Sequence, residues 1–269
     1  MPRRYPPVMT GDRERIHAFT RWLEETTSTR MQPWRFGTAL FHDAFPRRWD
    51  SNFLRVERSV GSTTAAELAT EADRILSGFG HREFIFEDDA EGARLAAGFV
   101  ERGYAADRLV NLVLRRDRDR EPPPIDVREV PLGTVRPLKI ETNLVSHGGM
   151  ARGSAEMLAD FAMVLVERVG ARFFGARIDG ELAGCCELYL RGGVAQIENV
   201  DTLEAYRNRG VARALLAAAM DAAREDGADL IFLTADDADW PKQLYSKIGF
   251  DPVGQFRQFT KPPPGETSR

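Results

Sequence analysis

The sequence predicts a mixed α/β fold laid out in two tandem halves, and three observations predict it. Over residues 153–260 the apolar spacing runs helix, hairpin, strand, helix, strand, helix, strand, an order that calls for one sheet with helices layered on it. The segment RRDRDREPPPIDV (115–127) alternates charges and then delivers three prolines, which makes a stiff, extended connection. FIFEDDAEGARLAAGFVERGYAADRLVNLVLRR (84–116) repeats the parts of 230–260, namely strand, acidic turn, helix, glycine-aromatic pair and strand, with Gly103-Tyr104 lying 146 residues before Gly249-Phe250. The expected organisation is one domain over 1–120, a second over 125–260, and a loose tail, KPPPGETSR, from 261 to 269.

In the first half, RSVGSTTAAELATEADRIL (58–76) reads as a helix with Ser62 as N-cap. In the second half, GSAEMLADFAMVLVERVG (153–170) is a helix with Ser154 as cap and Gly170 as stop. ARFFGARIDGELAGCCELYL (171–190) is two strands joined at Asp179-Gly180, a strong hairpin signal. GVAQIENVDT (193–202) is the next strand, and YRNRGVARALL (206–216) opens a helix running to about 226. ADLIFLTADD (228–237) is an apolar strand, PKQLYSKIGF (241–250) a short helix stopped at Gly249, and PVGQFRQFT (252–260) the last strand. NLVSHGGMARG (143–153) reads as a loop that shapes a substrate pocket.

The 269 residues suffice for two cores, and 43% hydrophobic with 29% charged residues is the composition of a soluble protein. No apolar run approaches the roughly 18 residues of a membrane span, so no membrane partner is expected. A net charge of −4 argues against nucleic acid, whose binders present a basic face. The opening MPRRYPPVMTGDRER has no apolar stretch behind its arginines, and a cytoplasmic location is the expectation. Cys185 and Cys186 are adjacent, cannot close a relaxed disulfide, and read as small buried side chains on a strand. His17, His42, His81 and His147 are scattered and far from both cysteines, so no metal is expected.

The chemistry concentrates at YRNRGVARALL. The first turn of a helix carries N–H groups without intrahelical partners and the positive end of the helix dipole, which together make an anion site. Gly210 lets a phosphate approach the main chain, Ala212 keeps the next turn uncluttered, and Arg207, Arg209 and Arg213 add charge. The turn therefore suits a pyrophosphate; the other reading is an amphipathic helix with solvated arginines. No Gly-Lys-Ser/Thr follows, which excludes a Walker-type site.

Here the sequence resembles the GNAT superfamily of acyl-CoA-dependent N-acyltransferases. Its signature, Arg/Gln-x-x-Gly-x-Gly/Ala after a strand and opening a helix, stands as Arg207-Asn208-Arg209-Gly210-Val211-Ala212. Its second element, Tyr-x-x-x-Gly-Phe, stands as Tyr245-Ser246-Lys247-Ile248-Gly249-Phe250. The resemblance implies two tandem domains, each a mixed, mostly antiparallel sheet flanked by helices, with acetyl-CoA or another acyl-CoA as cosubstrate. It implies that the amides of Asn208, Arg209, Gly210, Val211, Ala212 and Arg213 bind the pyrophosphate. Val200, Asp201 and Thr202 would pair with the pantetheine arm, and Tyr245 would protonate the departing thiolate. The chain departs from the family in having Ala238, among Asp236, Asp237 and Asp239, where an asparagine often touches pantetheine; the aspartates and Trp240 read as a solvated turn and a packing residue.

Transfer to an amine also needs a proton acceptor. Period-two alternation puts Gln196, Glu198, Val200 and Thr202 on one face of a strand, with Glu198 the only carboxylate among them, so Glu198 is the base and Glu187 its reserve. The first copy has Phe99 in place of Tyr245 and no phosphate signature, which marks it as degenerate. The expected activity is direct acyl transfer to a primary amine, a small molecule or a peptide, by a monomer or homodimer. The rival from another class is a coenzyme A-binding module without turnover.

Overall fold

The computed structural model describes residues 11–146, 151–238 and 241–265. Its first half contains helix α1 (Asp12–Thr27), strands β1 (Arg30–Trp34), β2 (Gly37–Phe41) and β3 (Phe53–Val56), helix α2 (Ala65–Ile75), strand β4 (Arg82–Phe86), helix α3 (Asp89–Val100) and strand β5 (Ala105–Leu114). After the linker come β6 (Asp126–Val130), α4 (Leu132–Ser146), α5 (Arg152–Val169), β7 (Arg172–Ile178), β8 (Glu181–Arg191) and β9 (Val194–Thr202). The chain continues with α6 (Val211–Glu225), β10 (Leu230–Asp236), α7 (Pro241–Ile248) and β11 (Phe250–Lys261). His147, Asp239, Trp240 and the end of the tail lie outside the described residues.

Contacts divide the chain into two compact units, one of residues up to 19, 111–234 and 240–253, the other of 20–110, 235–239 and 254–269. Where the sequence suggested one linear boundary between 120 and 125, these units are discontinuous, because β5 and β11 are each shared out between them. The chain changes unit within β5, at 110/111, so the proline run at 122–124 lies inside one unit and marks a connection there, not the boundary.

In the unit holding most of the first half, the strand order is β1-β2-β3-β4-β11. All these pairs are antiparallel except β3 with β4, which run parallel from Leu54↔Phe84 to Val56↔Phe86. Phe99 is fully buried and stacks on Phe259 with ring centroids 4.4 Å apart, beside Phe84 and Tyr104. Helix α2 is capped by Thr64, two residues beyond the Ser62 expected. The Thr64 side chain accepts from the Glu67 N–H while the Glu67 carboxylate accepts from the Thr64 N–H. Only Thr64 stands three residues ahead of a glutamate, as this reciprocal cap requires.

In the other unit the order is β5-β10-β9-β8-β7-β6, with β6 to β9 an antiparallel meander and β9 parallel to β10. The β7–β8 turn has φ of 52° at Asp179 and 86° at Gly180, the two left-handed residues of a tight hairpin. Helix α5 stops at Gly170 as expected, but its N-cap is Ala151 with no side-chain bond, and Ser154 lies inside the first turn. Cys185 and Cys186 are buried on β8, and Cys186 faces α6, where its sulfur lies 3.8 Å from the Leu215 carbonyl oxygen. Strand β6 and helix α4 were not read from the sequence. Pro131, Gly133 and Pro137 interrupt the helical pattern there, yet α4 packs on α5, β7, β8 and β9, which outweighs the local propensity.

Helix α7 ends at Gly249, whose N–H donates to the Tyr245 carbonyl at 3.1 Å and whose carbonyl accepts from the N–H groups of Arg115 and Arg116. Its φ is 110°, and a Cβ there would overlap the Arg116 carbonyl oxygen. Gly249→Ala is expected to cost about 2–4 kcal/mol through combined strain and overlap; urea unfolding of the two proteins measures it, and a loss below about 0.5 kcal/mol would contradict the geometry.

Candidate functional site

Three features of the second unit converge at the carboxyl end of β9. The first is incomplete pairing. β9 is parallel to β10 only from Val194↔Leu230 to Gln196↔Phe232, although β9 continues six residues further, to Thr202, against β8. Beyond Gln196 the two strands part, and one main-chain edge of β9, including Val200, Asp201 and Thr202, has no ladder partner on β10 among the described residues. β10 is held on its other side by β5, where the Thr234 hydroxyl donates to Asn111 Oδ1 at 2.9 Å.

The second feature is a bulge. Cys185 opposes Asp201 and Glu187 opposes Glu198, so β9 spends three residues where β8 spends two. Asn199 takes up the extra residue with φ of 50°. This overturns the expected alternation: past Asn199 the parity reverses, and Asp201, not Val200 or Thr202, joins Gln196 and Glu198 on the face of α4. Thr202 opposes Gly184, and a Cβ on Gly184 would lie 2.6 Å from Val211 Cγ1, so that pair faces α6. The Thr202 hydroxyl is buried there with no partner.

The third feature is the turn into α6. Asn208 and Gly210 are left-handed, with φ of 61° and 86°, and no side chain caps the helix. Among the described residues, the N–H groups of Asn208, Arg209, Gly210, Val211, Ala212 and Arg213 find no acceptor. Successive unpartnered amides at a left-handed turn and a helix start form a concave anion site. Gly210 is required for a reason other than ligand approach: besides its positive φ, a Cβ would lie 2.6 Å from the Pro123 ring. The arginines do not act alike. Arg213 is buried, with its guanidinium 2.5 Å from Asp119 Oδ1, so its charge is matched within the protein. Arg209 is half exposed, 4.0 Å from Asp179 Oδ2 and over the Tyr206 ring, and lines a cavity of about 410 Å³ with Arg177 and Ile125. Arg207 is exposed. A second cavity, about 520 Å³, is lined by Arg116, Arg118 and Arg224 among acidic residues and includes nothing from the opened strands.

Beneath the α4 face lies a buried polar cluster that sequence reasoning missed, because its cation comes from the unread helix. Lys139 of α4 pairs with Glu187, which also accepts from the Tyr189 hydroxyl. Burial alone would raise Glu187, but Lys139 and these hydrogen bonds hold it below the usual carboxylate range. Asp201 goes the other way: burial and the charge of Glu187 outweigh Lys139 and push it up to about 6. The Thr142 hydroxyl donates to Asp201 at 3.4 Å, and the Gln196 amide donates to Glu198 at 2.5 Å. Tyr245 is half buried on α7, its ring 6.4 Å from that of Phe250. Ala238 sits in an aspartate turn, its N–H donating to Asp236 Oδ1 at 2.8 Å.

The described residues contain no helix long and apolar enough to cross a membrane and no group of three or more His, Cys, Asp or Glu arranged for a metal ion. A sequence model of the Acetyltransferase (GNAT) family matches residues 146–250. No curated protein matches in sequence. Among solved structures, a GCN5-related N-acetyltransferase from Kribbella flavida is 18% identical, with a TM-score of 0.61 over 96% of this chain and 97% of that one. A functionally unknown conserved protein from Staphylococcus epidermidis is 14% identical, with a TM-score of 0.64 over 88% and 94%. A tandem GNAT protein from the clavulanic acid biosynthesis pathway is 15% identical, with a TM-score of 0.53 over 86% and 79%. These likenesses are of fold.

Lys139→Met would leave Glu187 and Asp201 buried without a cation. The expected loss is about 3 kcal/mol at pH 8. Both carboxyls would then have folded pKa values raised above their unfolded ones, so stability falls as pH rises between the two values and the loss is smaller at pH 5. Urea midpoints of wild type and variant at the two pH values test this; an equal or greater loss at pH 5 would refute it.

Proposed function

We propose, for a chain whose C-terminal half belongs to the GNAT acetyltransferase family and whose two halves both carry that fold, that it moves an acetyl or other acyl group from acyl-CoA to a primary amine at one site, in the C-terminal half. The observation that carries this reading is the coincidence of the parted β9–β10 edge with the unpartnered amides of 208–213. The two lie in sequence order along one segment, as a ligand with an extended amide-bearing arm and a pyrophosphate requires.

In this reading the amides from Asn208 to Arg213 hold the pyrophosphate, and the free edge at Val200, Asp201 and Thr202 pairs with the pantetheine arm as a missing strand would. Arg209 and Arg207 add charge from the rim, whereas Arg213, already matched by Asp119, contributes its N–H and shapes the turn. The thioester then lies in the wedge. The amine nitrogen bonds to the acyl carbon, main-chain N–H groups of the parted strand stabilise the oxyanion, and the C–S bond breaks with its electron pair on sulfur. Tyr245 gives that sulfur a proton; a phenol, with an ordinary pKa of about 10, is protonated at neutral pH and suits the task. Glu198 and Asp201, on the face toward α4, are the carboxylates available to take the proton the ammonium must lose.

The first half lacks each of these provisions. β3 ends at Val56 while still paired with β4, leaving no free edge. The start of α2 is closed by Thr64 and by Glu67, whose carboxylate occupies the position of an anion. Phe99 is sealed in the core.

Calorimetry is expected to find one coenzyme A bound per chain; two would show that the first half binds as well. Tyr245→Phe should lower kcat about 100-fold while coenzyme affinity stays within about twofold, measured by thiol release from acetyl-CoA with a panel of primary amines. Coenzyme binding without thiol release from the wild type, for any amine of the panel, would instead favour the non-catalytic module.

A further inference from the structure

We propose that Asp201, turned toward α4 by the bulge at Asn199, is the group that takes the proton from the acceptor amine, with the buried Lys139–Glu187 pair as the device that sets its readiness. The proposal rests on the acyltransferase reading and names a residue within it that alternation along the strand assigns to the opposite face.

Elimination among the carboxylates comes from their partners. Glu187 is fully buried and held by Lys139 and the Tyr189 hydroxyl, so it has no access to an acceptor amine. Glu198 receives the Gln196 amide at 2.5 Å and lies on the near side of the bulge, three residues before Asp201. Asp201 has the long Thr142 hydroxyl contact at 3.4 Å, and its own main chain lies on the parted edge where the acyl donor would run.

A separate observation points to a ligand that brings donors. Gln196 is 6% exposed, and because Glu198 can only accept, the Gln196 NH2 must face Glu198, leaving Oε1 buried without a partner. A buried acceptor left so is costly unless something supplies an N–H. Charges facing Asp201 are Lys139 from α4 and Glu187 from β8, with Thr142 and the neutral Cys185 thiol beside them and Glu198 on the same face of its own strand. One cation, Lys139, thus meets two carboxyls, Glu187 and Asp201, with Glu198 on the same face of the strand. The surplus favours an ammonium, and burial with the Glu187 charge raises Asp201 to about 6, closer to an amine in basicity than a solvated carboxylate.

The step balances simply. The ammonium loses one proton to the Asp201 carboxylate, giving a neutral amine and a carboxylic acid. The amine then attacks; as the C–S bond breaks, Tyr245 protonates the sulfur and regains a proton from the nitrogen, which sheds its second in becoming an amide, and after product leaves Asp201 returns its proton to solvent. That proton is the one released overall when an ammonium and a thioester become an amide and a thiol.

The test uses the full chain, acetyl-CoA, and putrescine, spermidine, ethanolamine and glycinamide as acceptors from pH 5 to 9. The expected kcat/KM rises with pH through about 6. Asp201→Asn should cut kcat at least about 100-fold and abolish that limb with coenzyme affinity unchanged, Asp201→Glu should restore part of it, and Glu198→Gln should keep the limb. Retention of rate and limb in Asp201→Asn overturns the proposal, and loss of the limb only in Glu198→Gln assigns the role to Glu198. Should none of the four amines be turned over, 13C carboxyl titration decides. A resonance absent from Asp201→Asn must titrate near 6 and move upward in Lys139→Met; titration near 4 overturns the proposal. Failure to bind coenzyme A, seen by calorimetry, would instead remove the underlying reading.

Discussion

The site depends on how strand β9 is paired. Along one edge it is bonded to β8 from Val194 to Thr202, and along the other it is bonded to β10 for three residues only. The first edge holds the strand in place; the second exposes main-chain donors and acceptors that a folded protein seldom leaves unmatched. Asn199 makes both conditions compatible. Its left-handed backbone absorbs an extra residue, bends the strand, and keeps the β8 register intact on either side.

The same bulge decides the chemistry of the face beneath. One inserted residue exchanges the sides on which all later side chains lie, so Asp201 enters a cluster with Lys139 and Glu187 while Thr202 turns toward α6. Within the cluster two carboxyls compete for one ammonium in a dry setting. The one with the ion pair and the phenolic hydrogen bond stays ionised easily, and the other is left near neutrality, so their environments push them apart.

The two halves show how little separates a binding turn from a closed one. Both place a strand, a turn and a helix in parallel succession, α2 after β3 and α6 after β9. At α6 the first-turn amides are unpartnered and a glycine occupies the cap. At α2 a threonine and a glutamate satisfy the same groups, and the glutamate carboxylate supplies the negative charge that a ligand would otherwise bring. Stability of the helix start and capacity for an anion are alternative uses of the same hydrogens. Phe99 and Tyr245 differ in a parallel way, one stacked in an aromatic core and the other half exposed.

What the sequence determined by itself was local or periodic. The hairpin at Asp179-Gly180, the stop at Gly170, the turn at Gly210, the end of α7 at Gly249 and the internal repeat follow from backbone restrictions on single residues and from apolar spacing, so they were legible without a fold. The structure decided whatever depends on a partner distant in the chain. Helix α4 was hidden by its prolines and exists through packing on the sheet; Lys139 therefore went unread. Arg213 met Asp119, and Pro123 gave Gly210 a second reason to be glycine. The face of Asp201 was decided by one residue out of step, because alternation can be counted along a strand, but a bulge is visible only when a neighbouring strand supplies the register against which to count.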